Sequence, residues 1–209
     1  MYRIFCVLFL LLNLSVYSQS DIESVIPNEL GEYFEVINHP KSLSNFKIKT
    51  PYGFYKYREG RDNSVIQIFR KIDNHQRIDV SGRRVNNGVI EFGVTALKWK
   101  DNSLKWKDNS KYEAMPSMSN AEIKELIIGN IESRDKTIDP NQVTVLYEKN
   151  ELFWIITGSW SEEKNLYIIV ANYYTNEQAL QLSFMTTIKG NIEKDIINMK
   201  NLIDSFQLI

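Results

Sequence analysis

Few side chains in this sequence belong to the types that perform acid–base, nucleophilic or metal chemistry. The two histidines, His39 and His75, lack the spacing to a second histidine or a carboxylate, such as a helical i, i+4 pair, that a metal site or general base needs. The one cysteine, Cys6, lies in an apolar run at the N-terminus. We therefore expect both histidines to be surface or turn residues, and we predict no metal or other cofactor.

Two further patterns invite a catalytic interpretation. Gly158–Ser161 is superficially similar to a nucleophile elbow, but the final glycine is missing and no strand-to-helix turn follows. A bulge or close packing explains a glycine near the end of a strand. Glu162 and Glu163 are adjacent in a hairpin turn, where neighbouring side chains point apart, so a solvated turn is favoured over a carboxylate dyad. We expect no enzyme activity.

The most unusual pattern is a tandem repeat, in which Leu97–Ser103 is followed at once by an identical copy, Leu104–Ser110. Two copies are too few for a coiled coil, and Asp-Asn-Ser favours turns. We therefore predict a surface loop between a strand and a helix. Its tryptophans and lysines suit contact with a protein, a glycan or a membrane interface. These candidate contact residues are Lys98, Trp99, Lys100, Lys105, Trp106 and Lys107. The alternative is a tolerated duplication without a function.

Composition limits the class of protein. The chain has 209 residues, 25 Lys and Arg against 26 Asp and Glu, and a net charge of −1. Hydrophobic residues make up 43% and charged residues 24%, as in ordinary globular proteins and unlike disordered or multi-span membrane proteins. A nucleic-acid partner is not expected, because neutralising phosphates needs a clear excess of positive charge.

The N-terminus has the pattern of a secretory signal peptide. Arg3 precedes the apolar run Ile4–Leu12, and Val16 and Ser18 approximate the small-x-small cleavage site. The alternative, a membrane anchor, would need about 20 apolar residues. We predict that residues 1–18 are removed, so that the mature chain begins near Gln19, lacks cysteine and has no transmembrane span. The expected location is periplasmic or secreted, in a bacterium.

The mature chain is predicted to have an N-terminal extension, 19–45, and a single α+β domain, 46–209. A short helix is compatible with 29–37. Ser119 and Glu122 form a capping box that opens an amphipathic helix, and Gly190-Asn191 opens a closing helix. The gaps between the strands of the C-terminal half are too short for parallel crossovers, so these strands are expected to be antiparallel. Strands are predicted at 46–49, 54–57, 65–69, 89–97, 143–148, 152–160, 166–174 and 179–187. The expected fold is one mostly antiparallel β-sheet flanked by amphipathic helices.

The order of these elements resembles the PsbP-like group of α/β/α sandwich domains. The resemblance rests on the strand-Pro-aromatic opening Phe46–Phe54, on the mid-chain helix and antiparallel meander, and on the terminal helix ending in Ile203–Phe206. It covers roughly residues 46–209. It implies an accessory or binding protein without catalysis.

Three functions therefore stay open. The leading hypothesis is an exported, non-enzymatic binding or accessory domain, expected to be a monomer with an unidentified protein, glycan or small-ligand partner. The second is a carrier of a lipid or small ligand, with a pocket supplied by the tyrosine-rich strands 52–57 and 167–174. The third is a hydrolase whose carboxylates are scattered along the sequence.

Overall fold

The chain folds mainly into antiparallel β-sheets, as seen in a computed structural model that describes residues 23–60, 64–73, 77–78, 84–85, 88–98, 119–134 and 141–209. Strands contain 54% of the described residues. They form a seven-stranded sheet, a three-stranded sheet and a two-stranded ribbon. The two described helices have 15 and 13 residues.

The elements follow one another in the chain as a series of hairpins with two helical insertions. The strands are β1 (Leu30–Val36), β2 (Phe46–Pro51), β3 (Tyr55–Glu59), β4 (Val65–Asp73), β5 (Arg77–Ile78), β6 (Arg84–Val85), β7 (Gly88–Lys98), β8 (Gln142–Lys149), β9 (Leu152–Ser161), β10 (Leu166–Tyr174), β11 (Gln178–Thr186) and β12 (Gln207–Leu208). The helices are α1 (Asn120–Arg134) and α2 (Ile192–Asp204). The seven-stranded sheet has the order β3-β4-β7-β11-β10-β9-β8, and the small sheet has the order β1-β2-β12.

The core lies between one face of the large sheet, the small sheet and α2. Alternate residues of the large sheet point into it, and Phe69, Phe92 and Phe184 form one buried row across β4, β7 and β11. The ring centroids of Phe92 and Phe184 are 4.8 Å apart. Phe34 of the small sheet meets Phe69 edge to face at 5.2 Å. The two sheets therefore contact each other through aromatic side chains.

Helix α2 packs closely on the large sheet because β9 carries a glycine beneath it. A Cβ atom added at Gly158 would lie 2.7 Å from Cγ2 of Ile192 and 2.8 Å from Cδ1 of Ile169. Both distances are shorter than real Cβ contacts, so a larger residue here would force the Ile192 and Ile169 side chains to shift. The close-packing explanation of Gly158 is confirmed. Asn191 caps α2, with its side-chain oxygen accepting from the Lys194 N–H at 3.1 Å.

Residues before position 46 contribute to the same core as the residues after it. Val25 and Ile26 are buried, and β1 pairs antiparallel with β2 and buries Val36. The chain end returns to the same sheet, where β12 pairs with the opposite side of β2. The small sheet thus joins the two ends of the described chain.

The predicted fold class, a single sheet flanked by helices as in an α/β/α sandwich, is wrong. The protein is mostly β, with sheets of three and seven strands. One layer beside the large sheet contains the β1-β2-β12 sheet next to α2. On the opposite face α1 covers only a small area, where Ile123 and Ile127 form a cluster with Ile155. Strand pairing by residues 30–36 and 207–208 therefore takes the place expected for helices.

Several local predictions are confirmed. Ser119 and Glu122 form the capping box, with the Ser119 N–H donating to the Glu122 carboxylate at 2.7 Å. This bond lowers the pKa of Glu122. The four strands of the C-terminal half are antiparallel neighbours, and a helix follows Asn191. Within the described residues, no helix has the length and apolar character needed to cross a membrane.

Candidate functional site

The repeat that carries the predicted contact residues lies almost entirely outside the described residues. Trp99, Lys100, Lys105, Trp106 and Lys107 belong to that part, so their contact role stays a prediction. Lys98 is described at the end of β7, where its ammonium donates to the Pro40 carbonyl at 2.6 Å. Lys98 is therefore held by the loop that precedes β2.

The most distinctive surface in the described part of the chain lies on the outer face of the large sheet, opposite the core. Arg70 is directly opposite Tyr55 on one side and Glu91 on the other, and Glu91 is opposite Met185. These four residues form a continuous row across β3, β4, β7 and β11. We call this surface the Arg70 face, and it consists of Tyr55, Tyr57, Arg70, Ile72, Val89, Glu91 and Met185.

The guanidinium group of Arg70 is held in place from two sides. Its central carbon lies 3.5 Å from the centroid of the Tyr57 ring, a stacked cation–π contact. Its Nη2 donates to a Glu91 carboxylate oxygen, and this bond raises the pKa of Arg70. Its Nε is buried and has no hydrogen-bond partner among the described residues. The Arg70 face thus has a fixed, planar cation at its centre.

Large apolar side chains surround this ion pair. Ile72 and Val89 are directly opposite each other, two positions along from Arg70 and Glu91. Five large side chains of the Arg70 face are between 40% and 51% exposed, namely Tyr55, Tyr57, Ile72, Val89 and Met185. Contiguous apolar surface around a few polar groups is typical of protein–protein interfaces, where Tyr, Met and Arg are enriched.

A separate feature is the cleft beside α1, with a volume of about 150 Å³. Lys124 crosses it, with its ammonium 2.5 Å from a Glu148 oxygen and 5.0 Å from the Phe153 ring centroid. Tyr173 and Tyr174 of β10 also line it. Small-molecule sites usually have about 300–1,000 Å³. The cleft therefore has room only for a ligand of a few atoms.

The structure does not bring the two tyrosine-rich segments together. Tyr55 and Tyr57 lie on the Arg70 face at one edge of the large sheet. On the fifth strand of the sheet order, Tyr174 packs beside α1, whereas Tyr173 points into the core. Three strands separate β3 from β10. Within the described residues, the cleft beside α1 is lined by the second segment and by no residue of the first.

A buried polar cluster that the sequence analysis missed joins the N-terminal segment to α2. The Asp195 carboxylate is fully buried and accepts from the Ile26 N–H at 2.8 Å, from the Tyr167 hydroxyl at 2.6 Å and from the Ser24 hydroxyl. Burial raises the pKa of Asp195, and these hydrogen bonds oppose the rise. Burial and the Asp195 charge raise the pKa of Tyr167. Asn198 completes the cluster by donating to the Ile26 carbonyl at 2.7 Å.

This cluster contains a hydroxyl and a carboxylate, but its geometry is that of a structural clasp. Both carboxylate oxygens of Asp195 accept hydrogen bonds from groups within the fold, and the side chain has no exposure to solvent. A general base needs a reactive proton within reach. The cluster therefore fixes residues 24–26 against α2, and a stripe of apolar residues along α2 had given no sign of it.

The described histidine and acidic residues do not cluster in a way that suits a metal. His39 accepts from the Lys41 N–H at 3.2 Å through Nδ1, as a turn residue does, and His75 lies outside the described residues. Across the described ranges, no group of three or more His, Cys, Asp or Glu side chains is placed to hold a metal ion. Ser159 lies inside β9, opposite Ile168 and Gln142, on a strand that continues into a hairpin.

Comparisons with known proteins give similarities to solved structures. No family model matches the chain, and no curated protein matches it. A crystal structure of a protein from Bacteroides thetaiotaomicron VPI-5482 is similar over 87% of this chain, with a TM-score of 0.41 and 14% sequence identity. The chain spans about half of the length of that protein, 49%.

Proposed function

We propose that this chain is an exported, non-enzymatic domain that binds a partner protein through the Arg70 face. The observation that carries the proposal is the group of five half-exposed apolar side chains around one stacked arginine. Side chains of this size are costly to leave in water, at about 25 cal/mol per Å² of apolar surface. A partner that covers them gains that free energy and finds Arg70 already oriented.

The chemistry of the Arg70 face favours a protein over a polyanion. Arg70 is paired with Glu91, so the centre of the face has no net charge to attract phosphates. The other residues of the Arg70 face are aliphatic, aromatic and methionine side chains, and β4, β7 and β11 pair without a shift around Arg70, Glu91 and Met185. Tyrosine, methionine and arginine are among the residue types enriched at protein interfaces.

Support for a non-enzymatic role comes from two places in the described part of the chain where polar groups meet. The clasp at Asp195 is closed to solvent, and the cleft beside α1 is about half the volume at which small-molecule sites begin. Support for export comes from the signal-peptide pattern of residues 1–18. N-terminal sequencing of exported material is expected to find a start near Gln19, and a start at Met1 would contradict export.

The binding test compares two variants that lose the same type of side chain. Purified mature chain is incubated with detergent-solubilised envelope from producing cells that lack the gene, and the retained proteins are quantified by mass spectrometry. Ile72→Ser combined with Met185→Ser removes apolar surface from the Arg70 face. Ile197→Ser is the control, because Ile197 is 57% exposed on α2, away from this face.

We expect the retained amount of one protein to fall at least about tenfold with the Arg70-face variant, which corresponds to about 1.4 kcal/mol of binding free energy. The retained amount should be unchanged with the control. Retention that is equal for both variants and the unmodified chain would refute the proposal. Arg70→Lys adds a second criterion, since lysine keeps the charge but not the planar stack on Tyr57. It should weaken retention as well.

A further inference from the structure

The two edges of the large sheet are built differently. The β3 edge has five residues, a register shift between Lys56 and Arg58, and charged side chains along it. The β8 edge has eight residues that pair with β9 at every position without a shift. Proteins usually protect edges with short strands, bulges and charges. Among the described residues, the β3 edge has all three of these protections, whereas β8 has charged residues only at its end, Glu148 and Lys149.

The exposed strand β8 also has the composition of a strand that pairs. From Gln142 to Tyr147 it reads Gln-Val-Thr-Val-Leu-Tyr, without charge, proline or glycine. The Asn141 carbonyl accepts from the Trp160 N–H at 3.1 Å, so Asn141 and Trp160 form a hydrogen-bonded pair. Hydrogen-bonded and non-hydrogen-bonded pairs alternate along an antiparallel ladder, so every second residue of β8 after Asn141 bonds to β9. The backbone N–H and C=O groups of Gln142, Thr144, Leu146 and Glu148 therefore point away from β9. In the described part of the chain, β9 is the only strand next to β8.

We propose that β8 pairs antiparallel with β8 of a second copy of this chain, about a two-fold axis at Val145. The product is a homodimer with a continuous fourteen-stranded sheet, in place of the monomer expected from the sequence. In this register Gln142 lies opposite Glu148, and Thr144 lies opposite Leu146. Each copy then satisfies the four outward-pointing donors and acceptors of the other.

Charge and shape both favour a second copy as the occupant. The two-fold register places Glu148 opposite a neutral amide, so no like charges face each other across the pair. Val143 and Leu146, which are 36% and 40% exposed, come to lie beside Tyr147 and Thr144 of the other strand. An unrelated strand would have to match this pattern, whereas β8 matches itself.

Helix α1 leaves room for this pairing. A two-fold axis perpendicular to the sheet keeps both copies of α1 on the same face, where each packs on β9 through Ile155. Three strand spacings separate the two copies of β9, about 14 Å. Packed helices need only about 8–10 Å between axes. The two α1 helices therefore do not collide.

The test uses proline at a position where the monomer loses no backbone hydrogen bond. The Thr144 N–H points away from β9, so Thr144→Pro removes a donor of the dimer ladder but no backbone bond of the β8–β9 pair. It also removes the 3.4 Å contact between the Thr144 and Thr157 hydroxyls, which Thr144→Val removes as well. Thr144→Val is the matched control, because it keeps the N–H and the strand preference. Sedimentation equilibrium over about 1 μM to 1 mM gives the mass of each protein, and circular dichroism follows its fold.

We expect two copies for the unmodified chain and for Thr144→Val, and one copy for Thr144→Pro with an unchanged spectrum. One copy for the unmodified chain at every concentration would overturn the proposal, and so would a dimer of folded Thr144→Pro. If Thr144→Pro does not fold, Leu146→Lys decides, since a lysine on a free edge is tolerated in a monomer but opposes pairing. It should sediment as one copy, and a dimer would again overturn the proposal. Variants of the Arg70 face should remain dimeric. The dimer proposal can therefore fail while the partner-binding proposal holds, and the reverse is also true.

Discussion

The clasp at Asp195 allows a stability prediction whose size follows from the contacts. Asp195→Ala removes the acceptor of the Ile26 N–H and of the Tyr167 hydroxyl, both of them buried. The Ser24 hydroxyl keeps an alternative acceptor, the Ile26 carbonyl at 2.7 Å. A buried donor without an acceptor costs about 1–3 kcal/mol. Two such donors give an expected loss of about 4 kcal/mol in the free energy of unfolding.

A double-mutant cycle isolates the hydrogen bond between Tyr167 and Asp195. Tyr167→Phe alone should cost about 2 kcal/mol, because a hydrogen bond to a charged group contributes about 1.5–3 kcal/mol. In the Asp195→Ala background the same change removes a hydroxyl that has already lost its acceptor, so it should cost nothing and should recover up to about 2 kcal/mol. The expected coupling free energy is therefore at least about 2 kcal/mol, measured by urea denaturation at neutral pH.

The control for this cycle is Tyr173→Phe. Tyr173 is buried on the same strand and the same face, and no hydrogen bond of its hydroxyl occurs among the described contacts. Loss of the Tyr173 hydroxyl should change the free energy of unfolding by less than about 0.5 kcal/mol in either background. A coupling free energy below about 0.5 kcal/mol between Tyr167 and Asp195 would refute the assignment of this cluster as a clasp. With that outcome, residues 23–26 of Asp195→Ala should be cleaved by a protease no faster than those of the unmodified chain.

Three further predictions concern single positions. Glu151 has φ of +64° in the two-residue turn between β8 and β9, so Glu151→Gly should raise the urea midpoint by relieving strain, a net gain of about 0.5–1 kcal/mol. Gly158→Ala should lower the melting temperature, because overpacking against α2 costs about 1–3 kcal/mol. Burial, with the bond to Asp204, raises the pKa of Tyr147 to about 12, so phenolate absorbance should show Tyr147 ionising near pH 12. Because the pKa of Tyr147 is higher in the folded than in the unfolded chain, its protonated hydroxyl stabilises the fold below pH 10. That contribution to the free energy of unfolding is lost as pH rises toward 12.

Each of these predictions has a matched comparison. Asn150→Gly in the same turn should gain less than Glu151→Gly, because asparagine tolerates positive φ better than glutamate, and the reverse order would contradict the strain. Ser159→Ala, next to Gly158, should leave the melting temperature nearly unchanged. Asp204→Asn should lower the pKa of Tyr147, and an unchanged titration would show that Asp204 has no part in it.

Local structure was predictable from sequence where one short segment determines it. The capping box at Ser119 and Glu122 needs only four residues, and the cap at Asn191 needs four as well. The antiparallel order of β8 to β11 follows from connections of a few residues. In each case the partners are close in the chain, so their pattern in the sequence is sufficient.

The layer opposite the large sheet was not predictable in this way. Residues 29–37 were compatible with a short helix, yet Leu30–Val36 is a strand because β2 offers it a pairing edge and Phe69 offers Phe34 a ring to pack against. The closing strand Gln207–Leu208 pairs with Lys47 and Phe46 of β2, which lie about 160 residues earlier in the sequence. Tertiary contact overrode local preference at both ends of the chain.

The Arg70 face was invisible for the same reason. Tyr55, Arg70, Glu91 and Met185 are far apart in the sequence, and each alone has the pattern of an ordinary strand residue. Their adjacency depends on the register of three strand pairs, and a slip of one residue would turn any of them into the core. The sequence analysis placed the contact surface in the Trp99 and Trp106 repeat instead, because that repeat is contiguous.

The two proposals have a joint geometric consequence. The Arg70 face lies toward the β3 edge and the proposed pairing edge is β8, at the other end of the sheet order. A two-fold axis perpendicular to the sheet keeps both Arg70 faces on the same side. Eleven strand spacings then separate the two copies of β4, about 50 Å along the sheet before twist. A dimer would therefore bind two partner sites on one surface at that spacing, so that the second contact forms at a raised effective concentration. Thr144→Pro should leave one-to-one binding through the Arg70 face intact and weaken only attachment to a surface that carries many partner molecules.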